Sequence, residues 1–496
     1  MNALYEEFLS YQKRQAAFNA AFTLLGWDEE TLQPKGANEF SAEIMGILSG
    51  EYYTLTTDPH YMEIVDTLSK DETLSPEEKE LIRREKKGIE QMAVIPKDEY
   101  AAYSELLSRS TSIWQNAKRT NDFASFAPTL KEVFDTVKKL TVYQNKNNWP
   151  LYDVVLDQYE EGFLMKELDE FFGMLRTEIV PLLKEAEKKN DQIRTDFLRR
   201  SYDVEKQREF NRFLAEYVGF DLNRGVISVS EHPFTTELHK NDVRITTAYF
   251  ENMPESAIFS TIHESGHAMF EQDRPDELAF VPVSGYSMGI HESQSRLNEN
   301  MIGRSLSFWK PIYGKLQETF PEQLSDVTLN EWVKAINKPQ ASLIRTESDE
   351  LTYCLHIMIR YEIEKKVFME DYPIEKLPEL WNQMYKEYLG VDVPTDTEGL
   401  LQDIHWSQGS IGYFPTYALG NAIAAQIYRV MDKEIGVDAC LLAGQPEKIH
   451  EWLKDNVHVY AGTMKVQDLL LKVTGETFNP KYYVDYLKDK FTKLYE

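Results

Sequence analysis

Cysteine is almost missing from this chain: Cys354 and Cys440 are the only two in 496 residues. They show no metal-type spacing and provide no disulfide framework, a usage expected of a protein in a reducing cytoplasm. Basic residues are short as well, with 54 Lys and Arg against 82 Asp and Glu, a net charge of −28. A surface so acidic repels phosphate backbones and anionic lipid, which argues against nucleic acid and membrane surfaces as partners. Long apolar runs are also lacking. The stretch from Ile404 to Tyr428 holds no Asp, Glu, Lys or Arg, but it carries Ser407, Gln408, Ser410, Pro415, Asn421 and Gln426. A lipid-facing helix would avoid those, so it reads as protein interior. The first residues, Met1 to Glu7, offer neither a basic nor an apolar region, and no signal peptide is expected. No repeat, low-complexity tract or linker divides the chain. The reading is one domain over 1–496, its helical half 1–200 lining a groove and its half 201–496 carrying the chemistry.

What is there is helix after helix. Leu4, Phe8 and Tyr11, then Phe18, Phe22 and Leu25, recur at the spacing of one helical face. Ser75, Pro76 and Glu78 form a capped helix start. The pattern changes after Gly219. Val226–Ser230 and Val243–Thr247 are short, β-branched and alternating, and they predict one small antiparallel sheet. Helices resume near Pro254, where Asn252 and Glu255 suggest a capping box. The expected fold class is mainly α, a large helical body with a deep groove and that one small sheet beside the site.

Directly after the strands stands His263-Glu264-Ser265-Gly266-His267. Two His at i and i+4 lie on one helical face and can converge on one zinc ion, and Glu264 can take a proton from water bound there. With only 10 His in the chain, roughly 0.02–0.03 chance matches to H-E-x-x-H are expected, taking Glu at about a tenth of positions. A catalytic zinc takes a third protein ligand and leaves room for water. Glu292 is placed to supply it, one loop and a return helix beyond His267. Glu299, two turns further on the same face, is the second candidate. Glu271, one turn after His267, is better placed to orient a ligand than to bind the metal.

Beyond the zinc motif, several segments resemble the carboxypeptidase Taq family of metallocarboxypeptidases. They are Asp242-Val243-Arg244-Ile245-Thr246, the run from His291 to Arg296, Ile344 to Asp349, and Gly399, Gln402, Asp403, His405 and Trp406. Tyr152 to Glu160 is similar to part of the family's N-terminal half. Asn298 departs from it, standing where a Trp is expected. The resemblance implies a zinc carboxypeptidase that releases single residues from peptide C-termini with broad side-chain tolerance. It also implies a nearly all-helical fold, one zinc per chain (with cobalt or another divalent ion able to stand in) and a homodimer. On the family pattern His263, His267 and Glu292 are the ligands and Glu264 is the general base. The nearest rival is a thimet-type oligoendopeptidase. A rival of another class is an inactive peptide-binding scaffold.

Further roles follow from chemistry. Arg244 and Arg345 are the two candidates to clamp a terminal carboxylate, with bland pairings to Asp242, and to Glu347 or Asp349, as the alternatives. His405 is the first choice to help the metal hold an oxyanion, ahead of Tyr413 and Tyr417, which also read as core aromatics. His291 either lines the pocket or backs a ligand.

Overall fold

The computed structural model describes residues 3–280, 287–460 and 462–496, and helices carry most of them. The N-terminal half runs through α1 (Ala3–Thr31), α2 (Asn38–Thr56), α3 (Pro59–Leu68), α4 (Pro76–Ala93), α5 (Lys97–Thr120), α6 (Phe123–Gln144), α7 (Leu151–Tyr159), α8 (Met165–Met174), α9 (Val180–Glu187) and α10 (Val204–Val218). After the sheet come α11 (Pro254–Gln272), α12 (Met288–Arg296), α13 (Leu306–Thr319), α14 (Pro321–Leu324), α15 (Leu329–Ile336), α16 (Glu350–Glu370) and α17 (Leu377–Tyr388). The chain closes with α18 (Pro415–Ile435), α19 (Val437–Leu442), α20 (Glu447–Asn456), α21 (Val466–Thr474) and α22 (Lys481–Lys493).

Helix starts follow local chemistry in one case and not in another. At α4, Ser75 Oγ accepts from the Glu78 amide while the Glu78 carboxylate accepts from the Ser75 amide, the reciprocal box expected. At α11 the expected box does not form. Met253 occupies the cap position, and Glu255 turns instead to Arg199, 2.5 Å away. An ion pair to another element outcompetes the local cap there.

The sheet is also not the antiparallel pair that was expected. It has three strands, β1 (Gly225–Val229), β2 (Thr235–His239) and β3 (Asp242–Thr247), in the order β1-β3-β2. β1 runs parallel to β3, and β2 pairs antiparallel to it. Residues 230–234 carry the chain past the end of β3, where Thr246 Oγ1 accepts from the Phe234 amide and lies 2.6 Å from Ser230 Oγ. β2, Thr-Thr-Glu-Leu-His, is half-buried at every position, so it lacks the alternation by which a strand is read.

Most helices share one continuous core. A separate small cluster, with Tyr5, Phe8, Tyr61, Ile64 and Ile82 at its centre, joins α1, α3 and α4. The uncharged stretch forms the buried first part of α18, through Ile427, where the Gln426 amide is satisfied by Thr474 Oγ1 and the Thr477 carbonyl. No helix among the described residues is long and apolar enough to cross a membrane.

Candidate metal centre

A groove of about 1300 Å³ runs between α1, β2, α11, α12 and α18. Its floor is α11. Gly266 lets that helix touch α12 backbone to backbone, since a Cβ there would lie 2.6 Å from the Gln294 carbonyl oxygen. Gly420 of α18 packs as closely, where a Cβ would meet Cβ of Glu292 at 2.7 Å. These two contacts seat the donors of α11 and α12 side by side.

His263, His267 and Glu292 come together as expected. Glu292 Oε2 lies 3.4 Å from His267 Nε2 and 3.7 Å from His263 Nε2. Two ligands held at zinc distance with tetrahedral angles stand about 3.3 Å apart, so the donor set has the spacing and chemistry of a zinc-type site. Glu299 stands outside this triplet. Its Oε2 lies 2.9 Å from Nδ1 of His263, the nitrogen turned away from Glu292. Nδ1 of His267 lies 2.5 Å from Nδ1 of His291, whose Nε2 is 2.8 Å from Glu271. Glu271 also accepts from Arg274 at 2.7 Å. Both imidazoles are thus oriented through their second nitrogen, as metal-binding histidines are. His291 touches the groove, but both its nitrogens are engaged in this chain.

Charge around the donors is arranged for a cation. Burial would raise the Glu292 carboxyl, but Arg296 and the two histidines outweigh it and hold it well below the usual carboxylate range. Burial, with His291 alongside, pushes His267 down to about 3, so its imidazole is neutral. Burial raises Glu264, whose Oε2 accepts from the Thr235 hydroxyl at 2.6 Å. Thr235 sits on β2, the strand missed in the sequence.

The other predicted residues separate. Arg244 pairs with Asp242 through two bonds of 2.8 Å and lies over the Trp27 ring, away from the groove wall. Arg345 does line the groove. It donates to Asp403 Oδ1 at 3.1 and 2.9 Å, while Arg360 donates to Asp403 Oδ2 at 2.7 Å. Two guanidinium ions share one carboxylate, which leaves a surplus positive charge whose groove-lining member is Arg345. Its expected bland partners, Glu347 and Asp349, are not the ones it uses.

His405 does not line the groove, contrary to its place as first oxyanion donor. Its Nε2 lies 3.3 Å from the Tyr417 hydroxyl, and both Tyr413 and Tyr417 face the cavity. Glu364, a residue without any sequence signal, holds the segments next to His405 and Tyr413. It accepts from Trp406 Nε1 at 2.6 Å, the Tyr152 hydroxyl at 2.7 Å and the Gly412 amide at 2.8 Å. Trp406 follows His405 and Gly412 precedes Tyr413, so one buried carboxylate fixes both neighbours. Glu160 plays the matching part for α12, accepting from Ser287 Oγ and the Gly289 amide, each at 2.6 Å. Asn298, where a Trp was expected, is buried and donates to the Gln294 carbonyl.

A helical groove floored by a His-Glu-x-x-His helix, with a carboxylate from a second helix, defines a metallopeptidase. The chain belongs to the carboxypeptidase Taq (M32) metallopeptidase family, whose model matches residues 7–491. It is 41% identical to carboxypeptidase 1 of Bacillus subtilis, over 99% of this chain and 98% of that one. It is 33% identical to thermostable carboxypeptidase 1 of Thermus thermophilus, over 99% of both. Among solved structures, the M32 carboxypeptidase from Deinococcus radiodurans R1 superposes with a TM-score of 0.96 at 34% identity, covering 100% of both chains. The Trypanosoma cruzi metallocarboxypeptidase 1 does so at 0.94 and 31%, covering 99% of both chains. The protein is a metallocarboxypeptidase.

Proposed function

We propose that the chain is a zinc carboxypeptidase that removes the last residue of a peptide by general-base catalysis, with broad side-chain tolerance. The observation that carries the exopeptidase limit is the Arg345–Asp403–Arg360 cluster, which leaves one uncompensated cation in the groove wall beside the metal donors. An arginine so placed receives the free α-carboxylate of the substrate, and the bond next to that residue is the one presented for cleavage.

His263, His267 and Glu292 would hold the zinc, which as a Lewis acid polarises the scissile carbonyl and acidifies water. Glu264, oriented by Thr235 and raised by burial, takes the proton from the attacking water and hands it to the leaving amine. The oxyanion is met by a tyrosine hydroxyl. Among the described residues His405 Nδ1 is buried without a hydrogen-bond partner, so the proton belongs on Nε2, which donates to the Tyr417 oxygen and leaves the Tyr417 hydrogen for Tyr413 or for a group in the groove. His405 is then a positioning residue, and Tyr413 is the second donor in reach. Burial raises both tyrosines, which keeps them protonated. Two buried, unpaired cysteines fit a reducing cytoplasm, and the homodimer is carried over from the family resemblance.

The test is a defined peptide ladder, free at its C-terminus or amidated, digested with and without chelator and read by mass. Stepwise loss of single C-terminal residues from the free acids alone, abolished by chelator, is the expected result. Internal fragments from both would replace this reading with the endopeptidase.

A further inference from the structure

Beyond the groove, at the C-terminal end of α11, a second set of metal-type donors is drawn together from three elements. Asp273 caps that helix, about 9 Å along the axis from His267 at the usual rise per residue. Its Oδ2 lies 2.7 Å from His450 Nε2, on α20, and 2.7 Å from His458 Nδ1, in the turn that follows α20. Asp273 and His458 are buried, whereas the His450 side chain is 21% exposed and opens the cluster to solvent. Room for that ring is made by Gly219, in the left-handed conformation at φ +117°, where a Cβ would come within 2.7 Å of His450 Nδ1. Among the described residues the further charged group paired with Asp273 is Lys454, 3.9 Å away on the solvent side and itself more than half exposed.

The protons of this cluster can be placed by its partners. Ser293 Oγ donates to the Ile290 carbonyl at 2.6 Å, so toward Gln294 it can only accept. Gln294 Nε2 therefore donates to it at 2.9 Å, and Gln294 Oε1 faces His458 Nε2 at 3.0 Å. That nitrogen must carry a hydrogen. The remaining nitrogen, Nδ1, is aimed at a carboxylate oxygen, and a lone pair held against an anion at 2.7 Å is repulsive. A cation has to lie between them, either a proton or a metal ion. Burial works against the proton, since it disfavours the imidazolium. A metal on Nδ1 would leave the Nε2 hydrogen donating to an amide oxygen, the usual second contact of a metal-bound histidine.

We propose that Asp273, His450 and His458 form a second divalent-cation site of zinc type, distinct from His263, His267 and Glu292, which takes up its ion in exchange for the His458 Nδ1 proton while His450 moves its hydrogen from Nε2 to Nδ1. The hydrogen-bonded donors would part by about half an ångström, since tetrahedral zinc ligands stand about 3.3 Å apart. His450, on the solvent side, is the donor able to give way. The ion would tie α20 and the turn after it to the end of the helix bearing the first site, so its effect is on stability and not on turnover.

The proposal is tested on the full chain, stripped with chelator and titrated with zinc by calorimetry in two buffers of different ionisation enthalpy. The expectation is a stoichiometry of two zinc ions for the wild type. The double variant His263→Ala/His267→Ala should keep one, with net proton release and a zinc-dependent rise in melting temperature. Adding His450→Gln, which still donates to Asp273 but is a poor zinc ligand, should remove that remaining ion without unfolding the chain. One zinc in the wild type, or none in the double variant at micromolar zinc, overturns the proposal and leaves Asp273 and His458 as a permanent ion pair. Two zinc ions bound by His450→Gln alone would overturn it as well.

Discussion

Glu299 grips His263 by Nδ1, on the side of the ring opposite Glu292. The carboxylate thereby fixes which nitrogen is presented to the groove. Glu299→Gln keeps the size but weakens that grip, and it should lower metal affinity about 10- to 100-fold, as loss of an orienting partner does. Equilibrium dialysis against a zinc buffer reads this directly, and Glu292→Gln should lose more.

Glu264 is the contrasting case, because it stands beside the donors without joining them. In Glu264→Gln the metal content should stay at the wild-type level while kcat falls about 10²- to 10⁴-fold, the scale of a lost general base. Metal analysis and initial rates on the same preparation make the comparison. Equal loss of metal from this variant and from Glu292→Gln would mean the two roles are misassigned.

Neutralising Arg345 should reveal what it binds. Arg345→Met leaves Asp403 paired with Arg360 and removes the surplus charge. Free-acid peptides should then lose about 2–5 kcal/mol in kcat/KM, the cost of breaking a desolvated charge pair, while amidated peptides change little. Arg244→Met, away from the groove, should leave both substrates nearly unaffected.

Glu160 gives a pH signature. Burial raises it to about 7, above the ordinary carboxyl value near 4.5 that holds in the unfolded chain. Between those values the folded chain keeps a proton that the unfolded chain has released. Stability from this group is therefore complete below about pH 4.5 and is lost as pH rises through 7, by up to about 3 kcal/mol. Glu160→Gln should flatten the wild type's decline over that interval, as measured by urea unfolding at pH 5 and pH 8.

Gly420→Ala sets a methyl group against Cβ and Cγ of Glu292. The cost should be about 1–3 kcal/mol in stability, as for other overpacked sites. Because the displaced atoms belong to a metal donor, zinc affinity should fall with it. Gly314→Ala, with open space around the new Cβ, is the control.

Much of this was legible in the sequence where the cause is local. The 3.6-residue repeat gave the helices, the i, i+4 histidines gave the floor of the groove, and the uncharged stretch gave α18. Where a distant partner decides, local pattern failed. Glu255 left its expected cap for Arg199, and β2 took the edge of β3 although none of its residues alternates. Glu299 sits on the face from which a ligand was expected, and only the orientation of a ring nitrogen separates ligand from orienter. Glu160 and Glu364 gather donors from more than forty residues away, which no spacing rule anticipates. Of the two arginine candidates only Arg345 lines the groove, and its sharing of Asp403 with Arg360 has no signature in spacing.

After Arg296 the helix widens into a π turn over Leu297–Ile302, one residue more per turn than its surroundings. Glu299 lies inside it. For anyone comparing this chain with a distant relative, counting residues along that helix is therefore treacherous. A relative lacking the extra residue would keep the same contact in space while its carboxylate slid by one column in the alignment. Equivalence there is set by which carboxylate reaches Nδ1 of the first histidine, and the gap belongs wherever that contact requires it.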